Sequence, residues 1–252
     1  MRDEKELKQE AEELLKNLGE SSVKDTMEGF EDVDGSTKAV PFLRILQSLS
    51  PQVNPDDPDA VEGAKVGDLF NTVTKELYGR EVRCIILKFE HLYIEWLPDR
   101  KGFVGYHSPE NAERLAIDKS KFGKWKTAEG NLLQENYVYL ILVEGYEREG
   151  MMVLSLSSTA IPEAKMLNRL MTSHYLPNGE LAKPYYLVWV LKTELQRKDS
   201  YTWYSPRFVF DGYIGDSFLS LVKQERLALP AKKVDYAQIA APVESDSQAG
   251  DF

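Results

Sequence analysis

The chain is poor in the residues that build reactive sites. One cysteine and three histidines occur in 252 residues. A single cysteine excludes an internal disulfide, and Cys84, set in the apolar run Val82–Leu87, reads as a buried thiol in a reducing compartment. His91, His107 and His174 have no second histidine or cysteine at ligand spacing. His91 and Glu95 share a face of an expected strand, but about 13 Å apart, too far to hold one metal ion. The glycines form neither a G-x-x-x-x-G-K-[ST] nor a G-x-G-x-x-G loop, and there is no G-x-S-x-G elbow. No metal and no cofactor is implied, and a non-enzymatic protein is expected. Long hydrophobic runs are missing too. Tyr137–Val143, the longest kind of apolar stretch present, has the length of a buried strand rather than a membrane span. The charged start Met1–Lys5 has no signal-peptide pattern, so a soluble, cytoplasmic protein is expected.

What is present is a core. Hydrophobic residues make up 42% and aromatics 11%, which excludes global disorder and suits one large domain or two small ones. Charge is segregated along the chain. Of the net −10, residues 1–40 hold −6 and Ala240–Phe252 hold −3, so the body between them stands at −1. Within that body, Arg100–Lys126 carries seven basic residues against three acidic ones. Such segregation permits polyanion binding without requiring it.

Periodicity divides the chain into three parts. Residues 1–39 read as an acidic helix over 2–18, with Leu7, Leu14, Leu15 and Leu18 on one thin stripe, followed by a polar flexible linker. Residues 40–230 alternate strand and helix signals. Val66–Val73 and Glu81–Leu97 read as strands, Asn131–Glu144 with Met151–Ser157 as one hairpin, and Tyr185–Leu195 with Tyr201–Phe210 as another. Pro98–Gly105 reads as a loop. Ser108 and Pro109 are a helix N-cap and first residue, Thr159–Ser173 is helical, and Ile214–Leu227 is a last helix. Residues 231–252 lose all period and form a flexible acidic tail. Six or seven strands joined mostly by hairpins, with two or three helices, give an α+β class that is mainly antiparallel β, closed or half-closed as a barrel.

Aromatic residues interleaved with positive charge are the strongest chemical signal. One group is Lys88, Phe89, Tyr93, Trp96, Arg100, Lys101, Phe103, Tyr106, Lys121, Phe122, Lys124, Trp125 and Lys126; a second is Arg197, Lys198, Tyr201, Trp203, Tyr204, Arg207 and Phe208. Single-stranded nucleic acid is bound by this mixture, because bases stack on exposed rings while Lys and Arg follow the phosphates. Strand alternation lets Tyr201 and Trp203 share a face and puts Tyr204 on the other, and Lys124 and Lys126 bracket Trp125. The same rings could instead be core. The tail, with Asp246, Asp251 and Phe252, can compete with phosphate for a basic groove or present its end to a partner.

Several stretches carry a resemblance. They are Pro41–Gln52, Glu62–Asp68, Asn71–Thr74, Glu95–Arg100 and Ser157–Thr159. Their order resembles a group of bacteriophage replication-region proteins, the phage single-stranded DNA-binding proteins, over about residues 40–210. The resemblance implies an elaborated OB-like (oligonucleotide/oligosaccharide-binding) β-barrel, here with an added N-terminal helical extension. It also implies coating of single-stranded DNA in replication or recombination, in the host cytoplasm, with tail contacts to phage replication proteins. Two other readings stay open. One is a phage structural or assembly protein without DNA affinity, docking through the N-terminal helix. The other is a metal-dependent nuclease using Asp56, Asp57, Asp59, Glu62 and Lys65. The sequence leaves the oligomeric state undetermined.

Overall fold

Residues 39–100, 102–121, 124–229, 234 and 236 are described in the computed structural model. The expected helix over 2–18, its linker and the tail beyond Tyr236 lie outside the described residues. Eleven strands and three α-helices follow in order: β1 Leu43–Ile45, β2 Leu69–Asn71, β3 Leu77–Gly79, β4 Glu81–Trp96, β5 Phe103–His107, α1 Pro109–Leu115, β6 Ala116–Lys121, β7 Lys124–Thr127, β8 Leu132–Val143, β9 Met152–Ser157, α2 Ile161–Met171, β10 Leu187–Lys198, β11 Tyr201–Tyr213 and α3 Asp216–Ala228. The strands β1, β2 and β3 make a small sheet of their own. The other eight form one sheet in the order β11-β10-β4-β8-β7-β6, with β5 added to β4 and β9 to β8. Every pairing within it is antiparallel.

The spine of that sheet is the pair β4 and β8, in register from Cys84 opposite Val143 to Trp96 opposite Leu132. Each spine strand is long enough to take two partners on its outer edge. β4 pairs with β10 through Glu81–Ile85 and with β5 through Tyr93–Trp96. β8 pairs with β9 through Asn136–Ile141 and with β7 through Leu132–Gln134. The sheet is therefore two halves sharing one spine, and it curls as a half-barrel. Its ends, β11 and β6, are not paired with each other.

A bulge in β4 between Ile86 and Lys88 governs which side chains face which way. Before it, Val82, Cys84 and Ile86 join a core with the helix residues Ala164 and Leu167 of α2. After it, Leu92, Ile94 and Trp96 lie in the opposite core, with Val222 of α3. One extra residue on a strand moves every later side chain to the other face. Both faces of the spine are thus buried, which is why Tyr137–Val143 reads as an unbroken apolar run instead of an alternating one.

The helix signals act as expected. The Ser108 side chain accepts from the Asn111 backbone N–H at 3.3 Å, with Pro109 at the first position. The strand inventory is larger than the sequence suggests. Pro98–Gly105, expected as loop, holds the first three residues of β5 (Phe103–His107), and the sequence does not announce β3, β6 and β7. Val66–Val73 contributes only Leu69–Asn71 as strand. These extra strands are short and held by ladder bonds to partners distant in sequence, so their own composition carries little strand signal. No helix among the described residues is long and apolar enough to cross a membrane.

Candidate nucleic-acid interface

The two aromatic and basic groups lie at opposite ends of the sheet. Lys192 is opposite Glu81, the first residue of β4, and Lys198 lies six residues beyond it on β10. Trp125 is level with Leu133, which is level with Glu95 near the other end of β4. About twenty residues of strand, on the order of 60 Å along the curl, separate Trp125 from Lys198. The groups do not form one continuous groove.

In the first group, burial separates rings from ligands. Tyr93 is 4% exposed and Trp96 7%, and both are core side chains; neither offers a face to a base. Burial, with the Glu135 carboxylate beside it, raises the Tyr93 phenol well above its ordinary range. Trp96 packs edge-on against Phe103, and its indole N–H has no partner among the described residues. Trp125 stacks on Tyr93 at 4.7 Å between centroids, 24° between planes. Its neighbours Lys124 and Lys126 point to the opposite face, because a strand alternates. The lysine that reaches the Trp125 ring is Lys119 of β6, 5.1 Å from the centroid, and it also pairs with Glu113 at 2.8 Å.

On the α3 side, register aligns two rows across four strands. Tyr106, Ile94, Gln134 and Lys124 make one, and Phe103, Trp96, Leu132 and Lys126 the next. Their centres are closed: Ile94, Trp96 and Gln134 are buried, and Tyr236 packs on Tyr106 at 4.5 Å. Phe103, Tyr106 and Lys126 are exposed, and Lys124 and Leu132 are half-buried. Lys88 pairs with Glu90 at 2.7 Å. Arg100 sits half-buried in the turn after β4, with φ 57°. Lys101 and the side chain of Lys121 lie outside what is described, as do Asp246, Asp251 and Phe252.

The second group stands together. Directly opposite residues of the β10–β11 hairpin share a face, so Lys198 with Tyr201, Gln196 with Trp203, Glu194 with Ser205 and Lys192 with Arg207 line one side. All are exposed or half-buried, and Tyr201 is 40% exposed. Trp203 is half-buried, and its indole N–H is buried with no partner among the described residues. Arg197 lies on the other side with Leu195 and Tyr204. Arg207 pairs with Glu163 at 3.1 Å and Lys192 with Glu81 at 2.9 Å, both at the surface. Beyond Lys192 the hairpin leaves β4. Its base is clamped by Thr193, whose hydroxyl donates to the Gly67 carbonyl, and by Arg80, whose guanidinium lies 4.8 Å from the Tyr204 ring centroid.

The acidic stretch Asp56–Lys65 is an irregular surface loop of turns, with the Asp59 N–H donating to Asp57 at 2.9 Å. Among the described residues, no group of three or more His, Cys, Asp or Glu side chains is placed to hold a metal ion. Sequence reasoning placed Phe89 among the aromatic and basic residues but missed the half-open cluster it forms on the α2 side with His91, Glu135 and Tyr137. His91 lies 3.0 Å from Glu135, and its ring 4.6 Å from that of Tyr137. The signal was the alternation Phe89, His91, Tyr93, masked by the bulge just before it. A matching pair, His107 with Glu95 at 2.7 Å, lies nearby on β5 and β4.

Comparison with known proteins adds a grouping. No curated protein and no solved structure matches the chain. The family described as Pam3 phage gp34-like protein matches residues 9–235, which takes in every strand and helix above. The match meets the expectation of a phage protein and says nothing of DNA. By that coverage, the chain belongs to the Pam3 phage gp34-like protein family.

Proposed function

We propose that this phage protein binds single-stranded DNA without catalysis, and that the β10–β11 hairpin is its principal contact. One observation carries the reading: Tyr201 and Trp203 stand on a single hairpin face with Lys198, Lys192 and Arg207, where Glu194 also lies and where Glu81 and Glu163 pair with Lys192 and Arg207 at the surface. Rings and cations on one unburied strand surface are what stacking of bases and neutralisation of phosphates require, and each stacked base contributes ~1–3 kcal/mol. In this reading the curled half built from β5, β4, β8, β7 and β6 is the OB-like element. Lys126 and Tyr106 extend the DNA path at its rim, and the acidic tail with Phe252 recruits replication or recombination partners.

The test is a titration of the full chain with labelled oligo-dT and with matched duplex, following anisotropy and tryptophan fluorescence at several salt concentrations. Three phosphate contacts, at Lys192, Lys198 and Arg207, give a slope of log K against log salt of about −2. Preference for the single strand, with quenching and that slope, supports the reading. Absence of binding rejects it in favour of a structural or assembly role, and binding indifferent to salt rejects the phosphate contacts at Lys192, Lys198 and Arg207.

A further inference from the structure

The α2-side face of the spine is covered at both ends and half-open between them, at Phe89 and His91. At one end α2 sits on Tyr139, whose hydroxyl donates to the Ala164 carbonyl at 3.1 Å and lies 2.9 Å from the Asn168 side-chain oxygen. At the other, Ala112 of α1 packs on Tyr93 and Leu133. Between the helices, Phe89 is 37% exposed although it lies in the middle of the longest strand. Its ring rests on Tyr139 at 5.1 Å and Tyr137 at 5.6 Å, tilted by 35° and 38°. His91 continues the floor from Tyr137 toward Tyr93.

Two carboxylates border this aromatic floor. Glu135 is buried beside it, shared between His91 and the Tyr137 hydroxyl. Glu110, exposed on the first turn of α1, lies three residues beyond His107, which is level with Tyr93, the next residue on His91's face of β4. A phosphate chain is repelled here. A cation is attracted twice, by the negative faces of the rings and by the carboxylates.

We propose that this floor is a docking site for an arginine side chain of a protein partner. A guanidinium is planar, stacks on an open aromatic face, and keeps its edge N–H donors for carboxylates such as Glu110. The site is separate from the hairpin face and does not depend on the DNA-binding reading.

The test uses the full chain, labelled with nitrogen-15, and N-acetyl-arginine amide as the probe. The neutral citrulline analogue, which has the same shape without the charge, is the control. Saturable shifts confined to amides near Phe89, His91, Glu110 and Glu135, absent with citrulline, are expected. Phe89→Leu keeps the apolar packing but removes the π face, and should weaken the arginine probe by about two- to fivefold. Glu110→Gln, on the exposed rim, should weaken it further. Equal response to citrulline, or no change in Phe89→Leu with the spectrum otherwise intact, overturns the proposal. So does oligo-dT shifting the Phe89 region, which would make the floor a nucleic-acid surface. Loss of DNA binding at the hairpin alone leaves these outcomes unaffected.

Discussion

The side-chain amide of Gln47 takes the place of a neighbouring strand for Tyr204. Its nitrogen donates to the Tyr204 carbonyl at 2.9 Å and its oxygen accepts the Tyr204 N–H at 2.9 Å, across 157 positions of sequence. Tyr204 lies on β11, an outer strand of the eight-stranded sheet. The next outward-pointing position is Pro206, which has no N–H, and the one after is Phe208, whose N–H donates to Glu163 at 3.1 Å. Three successive positions of an otherwise open edge are closed by side-chain chemistry. Open edges template pairing with other chains, and closing them is how a sheet stays unaggregated.

Gln47→Ala should therefore cost about 1–2 kcal/mol, the net value of two hydrogen bonds at a half-buried site. It should also add concentration-dependent association. Urea unfolding reads the first and light scattering the second. A variant as stable and as monodisperse as the parent would show that the latch has no role in protecting the edge.

Gly67 tests the same junction from the other side. Its φ is +94°, and an added Cβ would lie 2.6 Å from the Tyr204 ring, which it would have to displace. Gly63 also has positive φ, +81°, but nothing stands within 4 Å of its Cβ position. Gly63→Ala should cost only the backbone penalty of about 1–2 kcal/mol. Gly67→Ala adds the collision and should cost at least about 1 kcal/mol more. Equal losses in urea melts would mean that Tyr204 moves aside freely.

The long elements were legible because their own residues carry the signal. β4 and β8 hold β-branched and aromatic side chains over a dozen positions, and α1 announces itself through Ser108 and Pro109. β5 was not legible, since Gly102 and Gly105 flank and interrupt Phe103–His107 and only pairing with β4 makes it a strand. The bulge after Ile86 left no mark in composition, yet it decides that Phe89 and His91 face α2 while Trp96 faces α3. For the site, the shared face of Tyr201 and Trp203 followed from alternation alone. The burial of Tyr93 and Trp96 did not, because it is set by helices and strands that arrive from elsewhere in the chain.

Cys84 makes the protein sensitive to alkali. It is fully buried, and burial pushes its thiol up to about 12. Burial likewise raises the phenol of Tyr139 above its ordinary range. In both cases the folded state holds the proton more tightly than the unfolded chain. Stability is complete below the unfolded thiol value of about 8.5 and falls as pH rises above it, because the unfolded state alone gains by ionising. Urea midpoints should be flat near neutrality and decline from about pH 9, with Cys84→Ala removing the thiol share and leaving that of Tyr139. A thiol reagent that modifies the folded protein as fast as the denatured one would contradict a buried, protonated Cys84.

Trp125 and Trp203 both belong to groups of aromatic and basic residues in the sequence, and the proposed DNA path assigns them opposite tasks. Trp125 lies flat on Tyr93 next to the buried Leu133 and Ala112. Trp125→Ala should destabilise the fold by about 3 kcal/mol, as loss of a packed aromatic does, and leave oligo-dT affinity of the folded protein unchanged. Trp203 stands on the hairpin face with Tyr201 and the three cations. Trp203→Ala should lower oligo-dT affinity by at least about tenfold, one stacked base, with a smaller loss of stability than Trp125→Ala. Parallel urea melts and oligo-dT titrations of the two variants separate the roles. If the effects cross over, with Trp125 controlling affinity and Trp203 stability, the DNA path runs over the β5–β7 half of the sheet and not over the hairpin.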